Sequence, residues 1–208
     1  MYHVYRCVCG RVFWYGKWID PYYYPSCDQH LKDPRNGIIY WLEECGCGMI
    51  TKLRKTLIRH EGKTNKPYRC TKGHRTIGIG RNMDVKPLPR AIRLFLDEHG
   101  YITEEHINAL FATDIMDAMS GCIDLYPDFN AFSENRKIAL IDFMFNVGYG
   151  TARKFKVTNS YINAGNWLAA SEEIRQSLYY TQLGGDPPGT DDGKLERPEE
   201  IARMLKEG

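Results

Sequence analysis

The first regular pattern of apolar residues begins near residue 49. Leu53, Leu57 and Ile58 recur at a spacing of three to four residues, which places their side chains on one face of an α-helix. This helix is predicted to run to Glu61, because Gly62 follows it and glycine commonly ends helices.

The next segment, NKPYRCTKGHRTIGIG at residues 65–80, is divided by turn-forming residues. Pro67 and the glycines at 73, 78 and 80 separate short stretches that favour β-structure. The segment therefore predicts a hairpin or a small three-stranded sheet. A short helix is expected after it, over about residues 89–96.

Two long helices are predicted next. Thr103 is a good N-cap residue, and the two glutamates that follow it favour the positive end of a helix. Ser133 is expected to cap the second helix, which should end at Gly148 or Gly150. The apolar residues expected to face inward from the first helix are Ile107, Leu110, Phe111, Ile115 and Met116.

The second helix contains IALIDFMF at residues 138–145, which is apolar on almost every side, as in a helix at the centre of a helical lobe. Two further helices are predicted over about 166–180 and 197–206. The pattern as a whole predicts an α+β fold with two lobes, a small lobe that carries the sheet and a larger helical lobe.

Residues 1–48 differ from the rest of the chain in composition. They hold five of the seven cysteines and eleven of the 26 aromatic residues, and their five basic and five acidic side chains cancel. A segment of this length rarely buries a self-sufficient core and usually needs disulfides, a metal or a partner. We therefore predict a cysteine- and aromatic-rich module over 1–48 and one compact domain over 49–208.

The cysteines of this module predict a structural zinc site. The CVCG and CGCG segments each direct two sulfurs the same way from a tight turn, and the spacing in CDQH recurs in tetrahedral zinc sites. A zinc ion would contribute directly to the folding of the module. Six side chains are candidates for the four ligand positions: Cys7, Cys9, Cys27, His30, Cys45 and Cys47.

Other interpretations of the module stay open. The start of the chain lacks the order of a secretory signal, and disulfides are disfavoured in a reducing cytoplasm. Disulfides and ordinary free thiols nevertheless remain alternatives to zinc. The aromatic residues are expected to form the small core of the module, and the alternative is that they stack on sugar rings.

Composition and charge exclude several classes of protein. The chain is 43% hydrophobic and 26% charged, which is typical of globular proteins rather than disordered or fibrous ones. Its net charge of +2 gives no argument for nucleic-acid binding. No apolar run approaches the roughly 20 residues that span a bilayer. We therefore expect no membrane anchor, and we expect the protein to be a monomer.

The residues that carry chemistry lie between positions 61 and 80. Glu61 is the last residue of the first predicted helix, and Tyr68 follows it. Eight residues separate Glu61 from Cys70. Thr76 comes six residues later and opens the segment TIGIG. Together with ITEEHINALFATDIMDA, ALIDFMFNVGYG and NAGNWLAASEEI, this motif resembles the phage-type lysozymes of glycoside hydrolase family 24, the T-even bacteriophage lysozyme family. The resemblance covers about residues 49–206.

The resemblance implies a two-lobed lysozyme fold that needs no cofactor for catalysis. It also implies inverting hydrolysis, in which Glu61 protonates the leaving oxygen while Cys70 and Thr76 hold the attacking water. Family members usually have aspartate where this chain has Cys70. A thiolate there would be a competent base and also a nucleophile, which would turn the reaction toward retention.

Further residues are assigned by the same resemblance. Arg197 matches an arginine that pairs with the catalytic glutamate. Arg81 and Asp114 match a His–Asp contact of the family, and we predict an ion pair between them. For Phe145 a place in the core is as well supported as contact with sugar. The positions expected to contact the sugar chain are Asn82, Phe145, Asn146 and Ser160.

The function implied is that of an endolysin-like muramidase. It would cleave the β-1,4 bond between N-acetylmuramic acid and N-acetylglucosamine in peptidoglycan, after release from the host cytoplasm into the periplasm. Residues 52–75 hold nine basic residues and one acid, which suits an anionic polymer. The alternatives are a virion-associated lysozyme, a non-catalytic peptidoglycan-binding relative and a transglycosylase-like cleavage of the same bond.

Overall fold

The computed structural model describes residues 48–70, 73–183 and 196–208, together with the backbone of four short strands that precede them. The chain separates into two compact units, residues 1–116 and 117–208. Of the six predicted zinc ligands, only the backbone of His30 is described. The other five lie outside the described residues: Cys7, Cys9, Cys27, Cys45 and Cys47.

The four N-terminal strands form one sheet of the first unit. They are β1 (His3–Arg6), β2 (Val12–Tyr15), β3 (His30–Lys32) and β4 (Ile39–Trp41). Their order is β2-β1-β4-β3. The central pair, β1 and β4, runs parallel, and both outer pairs run antiparallel.

The remainder of the first unit follows the order predicted from the sequence. Helix α1 is followed by an antiparallel sheet in the order β5-β6-β7, so the three-stranded alternative is the correct one. The expected short helix, α2, begins and ends slightly later than predicted. The elements are α1 (Met49–Glu61), β5 (Thr64–Arg69), β6 (Arg75–Gly78), β7 (Arg81–Asn82) and α2 (Arg90–His99).

Helix α1 is held by one buried face. Leu53 and Leu57 are fully buried, as the predicted period requires, whereas Ile58 is only half-buried. The helix ends where Gly62, at φ +73°, donates its backbone N–H to the carbonyl of Ile58. Glycine accepts this positive φ without the steric cost that a side chain would add. The end of α1 sets the position of Glu61, the last residue of the helix.

The long helix α3 (Glu104–Leu125) continues past the boundary between the two units. The Thr103 hydroxyl accepts a hydrogen bond from the backbone N–H of His106, which confirms the predicted N-cap. Four of the five residues predicted to face inward are buried, and Met116 is half-buried instead.

The second unit is helical and is organised around one buried helix. After a 3₁₀ turn at Phe129–Ala131 it contains α4 (Glu134–Val147), α5 (Tyr149–Ala152), α6 (Lys156–Asn163), α7 (Trp167–Gln176), α8 (Leu178–Leu183) and α9 (Arg197–Glu207). Residues 137–144 of α4 are all buried, as its apolar pattern predicts. Ser133 caps this helix through its side chain, and Gly148 follows its end.

The helix predicted over 166–180 is interrupted in the structure. Ser177 is extended, with ψ 155°, and its hydroxyl accepts the N–H of Tyr180 while donating to the carbonyl of Ile174. Serine competes with helical hydrogen bonds in this way, so α7 and α8 are separate helices. Helices α5 and α6 were not predicted, because such short helices depend on tertiary packing rather than on local signals. No helix in the described part of the chain is long and apolar enough to cross a membrane.

Candidate active site

The carboxyl group of Glu61 packs directly against the turn between β6 and β7. A Cβ atom placed on Gly80 would lie 2.6 Å from Oε2 and 2.8 Å from Cδ of Glu61. Gly80 also has φ +66°, a conformation that side chains disfavour. The turn therefore approaches the half-buried Glu61 more closely than any other residue type would permit.

Cys70 follows β5 at the start of the turn that leads into β6. Its backbone N–H donates to the carbonyl of His74 at 3.0 Å, and its own carbonyl accepts the N–H of Gly73 at 2.8 Å. These two hydrogen bonds fix the backbone on either side of the turn. The thiol is half-buried, so it is partly accessible to solvent.

Thr76 lies on β6, directly across from Tyr68 on β5. Its side chain is buried, with 4% of its surface exposed, and its hydroxyl donates to the carbonyl of His74 at 3.2 Å. The pairing of β6 with β7 places Thr76 opposite Asn82. The half-buried Asn82 accepts the backbone N–H of Asp84 through its side-chain oxygen.

Electrostatics connect Tyr68 with two of the predicted catalytic residues. Burial raises the pKa of the Tyr68 phenol above its usual value, and electrostatic interaction with Glu61 and then with Cys70 raises it further. Such effects weaken with distance, so the three groups share one region of the first unit. A phenol is already protonated near neutral pH and the upward shift of its pKa reinforces this, so Tyr68 is a hydrogen-bond donor. The sequence motif contains this tyrosine but indicates no role for it.

The predicted ion pair between Arg81 and Asp114 is formed. Arg81 Nη1 donates to Asp114 Oδ1 at 2.7 Å, and the side chains are only 8% and 4% exposed. The remaining guanidinium nitrogens donate to the carbonyls of Lys86 and Pro87. Lys86 Nζ also donates to Asp114, at 3.0 Å. This network fixes Arg81, the residue that follows Gly80.

Part of the basic segment at 52–75 is neutralised locally. Lys63 pairs with Glu104 at 2.6 Å, and Arg75 pairs with Asp84 at 2.8 Å. Hydrogen bonds from the backbone and side chain of Arg75 lower the pKa of Asp84, which keeps this partner charged. The charge available to attract an anionic polymer is therefore smaller than the residue count suggests.

The other predicted site residues belong to the second unit. Phe145 and Asn146 are half-buried near the end of α4, and Ser160 is exposed on α6. Arg197 at the start of α9 donates to Asp142 Oδ1 from Nε at 3.0 Å and from Nη2 at 2.6 Å. The pairing of Arg197 with Glu61 stays a prediction.

Asp142 is a partner that sequence analysis missed. It is only 1% exposed within the buried stretch of α4. A lone acid in an otherwise apolar run seldom occurs without a charged partner, so the IALIDFMF segment did contain a signal for it. Among the residues that the structure describes, no cluster of three or more His, Cys, Asp or Glu side chains could hold a metal ion.

Two of the known proteins that this chain resembles are described as lysozymes. The chain is 28% identical over 149 residues to "Probable T4-type lysozyme 2" of Dictyostelium discoideum, a match that covers 64% of this chain and 88% of that protein. It is 27% identical over 150 residues to "Probable T4-type lysozyme 1" of the same organism, with the same two coverages.

A third relative is a much larger protein. The chain is 29% identical over 147 residues to the "Pre-baseplate central spike protein Gp5" of Enterobacteria phage T4, which covers 64% of this chain and 26% of that protein. The sequence profile described as "Phage lysozyme" matches residues 58–189, a span that contains Glu61, Cys70 and Thr76. Because this match extends over more than half of the sequence, the chain belongs to the phage lysozyme family.

Proposed function

We propose that this chain is an endolysin-like muramidase that hydrolyses the β-1,4 bond between N-acetylmuramic acid and N-acetylglucosamine in peptidoglycan. Membership of the phage lysozyme family supports a lysozyme activity. The observation that carries the proposal is the Glu61 carboxyl, held against Gly80 in the unit that also presents Cys70 and Thr76. The enzyme would reach the wall from the host cytoplasm once the inner membrane is permeabilised.

Each of the three side chains has a distinct chemical role in this proposal. Glu61 donates a proton to the leaving oxygen as the glycosidic bond breaks. The Thr76 hydroxyl uses its hydrogen on the carbonyl of His74, which leaves its oxygen to accept a hydrogen bond from water. Cys70, which borders the same sheet, would orient that water or remove its proton.

The proposal is tested by incubating the full chain with purified Gram-negative sacculi. A muramidase should solubilise them and release new reducing ends at N-acetylmuramic acid. Products that end in a 1,6-anhydro ring would show a transglycosylase-like reaction instead. Binding to sacculi without any cleavage would show a non-catalytic relative and contradict the proposal.

Replacing Cys70 by alanine is expected to lower the hydrolysis rate by about 100-fold, the lower range for loss of a general base. Cys70→Asp should retain activity, because a carboxylate holds water better than a thiol does. The measurements are the initial rate on sacculi and the anomeric configuration of the first product. An inverted product supports a water held by Cys70, whereas a retained one supports attack by the thiolate.

Cys122 provides the matched control for this substitution. It is the other cysteine in the described residues, is fully buried in the second unit, and contacts the carbonyl of Leu140 through its sulfur. Cys122→Ala removes a thiol while leaving the site intact, so the rate should be retained. If Cys70→Ala also keeps its rate, Glu61 and Thr76 suffice for the reaction and the role of Cys70 is wrong.

A second candidate function is that of a virion-associated lysozyme that penetrates the wall during infection. The similarity to the spike protein favours it, although the match covers only 26% of that protein. In this case residues 1–48 would attach the enzyme to a tail or baseplate. Mass spectrometry of purified phage particles would find the chain in the particles if this alternative holds, and an endolysin would be absent from them.

The N-terminal module carries a separate proposal, a structural zinc site within residues 1–48. Elemental analysis of protein purified without chelator is expected to find about one zinc per chain, in keeping with a four-coordinate site. Removing the ion should unfold the module and leave lysozyme activity largely intact. Folded protein that contains no zinc would contradict this proposal.

A further inference from the structure

Two glycines of the TIGIG segment have nearly the same positive φ in different surroundings. Gly78 has φ +68° and Gly80 has φ +66°. Apart from Gly78 itself and its two chain neighbours, no atom lies within 4 Å of the place where a Cβ on Gly78 would stand. A Cβ on Gly80 would lie 2.6, 2.8 and 2.9 Å from Oε2, Cδ and Cβ of Glu61, closer than real Cβ atoms come to other atoms. Of these two glycines, Gly80 is therefore the one at which a neighbouring side chain leaves no room for a Cβ.

The turn that carries Gly80 has little freedom to move away from Glu61. Ile79 is buried, with 2% of its surface exposed. Arg81 is fixed by Asp114 and by the carbonyls of two residues downstream. The strand register pairs Ile77 with Arg81, which closes the turn at a defined length. A methyl group on Gly80 would therefore be accommodated mainly by displacement of Glu61.

The end of α1 limits how far Glu61 as a whole can move. Its Cβ is carried by the last residue of α1, and the helix is held by the buried Leu57 and by the terminal bond from Gly62 to Ile58. The backbone there resists movement, so the contact at the Glu61 Cβ would shift it only slightly, whereas the carboxyl end, at 2.6 and 2.8 Å, would be displaced further by rotation of the side chain. The atom that a methyl on Gly80 would displace most is thus the one that the proposed chemistry uses.

We propose that Gly80 is a positioning residue for the catalytic carboxyl of Glu61. A Cα hydrogen of Gly80 forms the surface on which the carboxyl rests, which restricts its rotation and covers one side of Oε2 with a carbon-bound hydrogen in place of water. Gly78 serves only the turn. This inference rests on the proposed function, because the placement of Glu61 affects a rate only if Glu61 is the acid.

The test compares Gly80→Ala with Gly78→Ala on purified sacculi, at a temperature where both variants are folded. Both substitutions add a methyl group at a positive φ, where a side chain is disfavoured, so Gly78→Ala is the control for strain of this kind without the contact to Glu61. Gly80→Ala should lower kcat by about 100-fold, the cost of misplacing a catalytic group by about 1 Å. KM should stay nearly constant, and Gly78→Ala should keep kcat.

A double-mutant cycle of thermal unfolding, which combines each glycine variant with Glu61→Ala, provides a measurement that does not depend on activity. Gly80→Ala should lower Tm more than Gly78→Ala does, and the excess should shrink when Glu61→Ala removes Cδ and Oε2 from the contact. If the excess persists unchanged, the contact with Glu61 is not its cause and the inference is overturned. Equal loss of kcat in both glycine variants, or unchanged kcat in Gly80→Ala, overturns it as well.

The kinetic and the unfolding measurements together also distinguish a failure of this inference from a failure of the proposed function. If the unsubstituted chain does not cleave sacculi, the proposed function fails and the catalytic role of Gly80 fails with it. The unfolding cycle then still decides whether Gly80 positions the Glu61 side chain. If the unsubstituted chain cleaves and only Gly80→Ala is slow, both stand.

Discussion

Glu61→Gln is expected to reduce peptidoglycan hydrolysis by about 10²- to 10⁴-fold, the range for loss of general acid–base catalysis. Glutamine has nearly the same shape as glutamate, so it should keep the packing against Gly80 that defines this position. It has no acidic proton to transfer to the leaving oxygen. The substitution thus removes the chemistry and preserves the contact, and its effect should appear in kcat, measured from the release of reducing ends.

Glu98→Gln is the matched control for this experiment. It makes the same change of charge in the same unit, at a side chain that is 77% exposed on α2. The control should retain both activity and thermal stability. If Glu61→Gln remains as active as the control, the acid is another residue and the proposed mechanism is wrong. If Glu61→Gln instead loses its fold, the loss of activity says nothing about acid catalysis, and a Tm close to that of the control excludes this case.

The parts of the fold that could be predicted are those with local signals. The end of α1 at Gly62, the caps of α3 and α4 and the buried α4 all follow from residue types at specific spacings. Helices α5 and α6 have no side-chain cap, and their short length leaves packing to decide whether they form. The break at Ser177 depends on one side chain that competes with the helix backbone.

The site likewise has features that the sequence predicts and features that depend on tertiary packing. The spacing of Glu61, Cys70 and Thr76 was visible in the sequence because these residues stand within one continuous motif. The closeness of Gly80 to Glu61 was not visible, because it depends on how a turn packs against the end of a helix. The sequence gives no reason to distinguish Gly78 from Gly80. The distances from a Cβ on each glycine to the Glu61 side chain do distinguish them.

Asp114→Ala is expected to destabilise the first unit by about 3–5 kcal/mol, the cost of breaking a buried ion pair by removing one partner. Arg81 is only 8% exposed, and its Nη1 would lose the carboxylate that balances its charge. The carbonyls of Lys86 and Pro87 would still accept from it, but they carry no compensating charge. The measurement is the free energy of unfolding in urea, with the m-value as a check that the unfolding transition is unchanged.

Lys86→Ala is the control that separates the buried pair from the exposed one. Lys86 also donates to Asp114, but its side chain is 40% exposed, so its removal should cost less than about 1 kcal/mol. A second variant, Arg81→Met with Asp114→Leu, replaces both charges by apolar groups and should recover much of the stability. If Asp114→Ala costs no more than Lys86→Ala, the pair does not stabilise the unit. Because Arg81 directly follows Gly80, we also expect Asp114→Ala to loosen the turn beside the Glu61 carboxyl and thereby to lower the rate of hydrolysis, whereas Lys86→Ala should not.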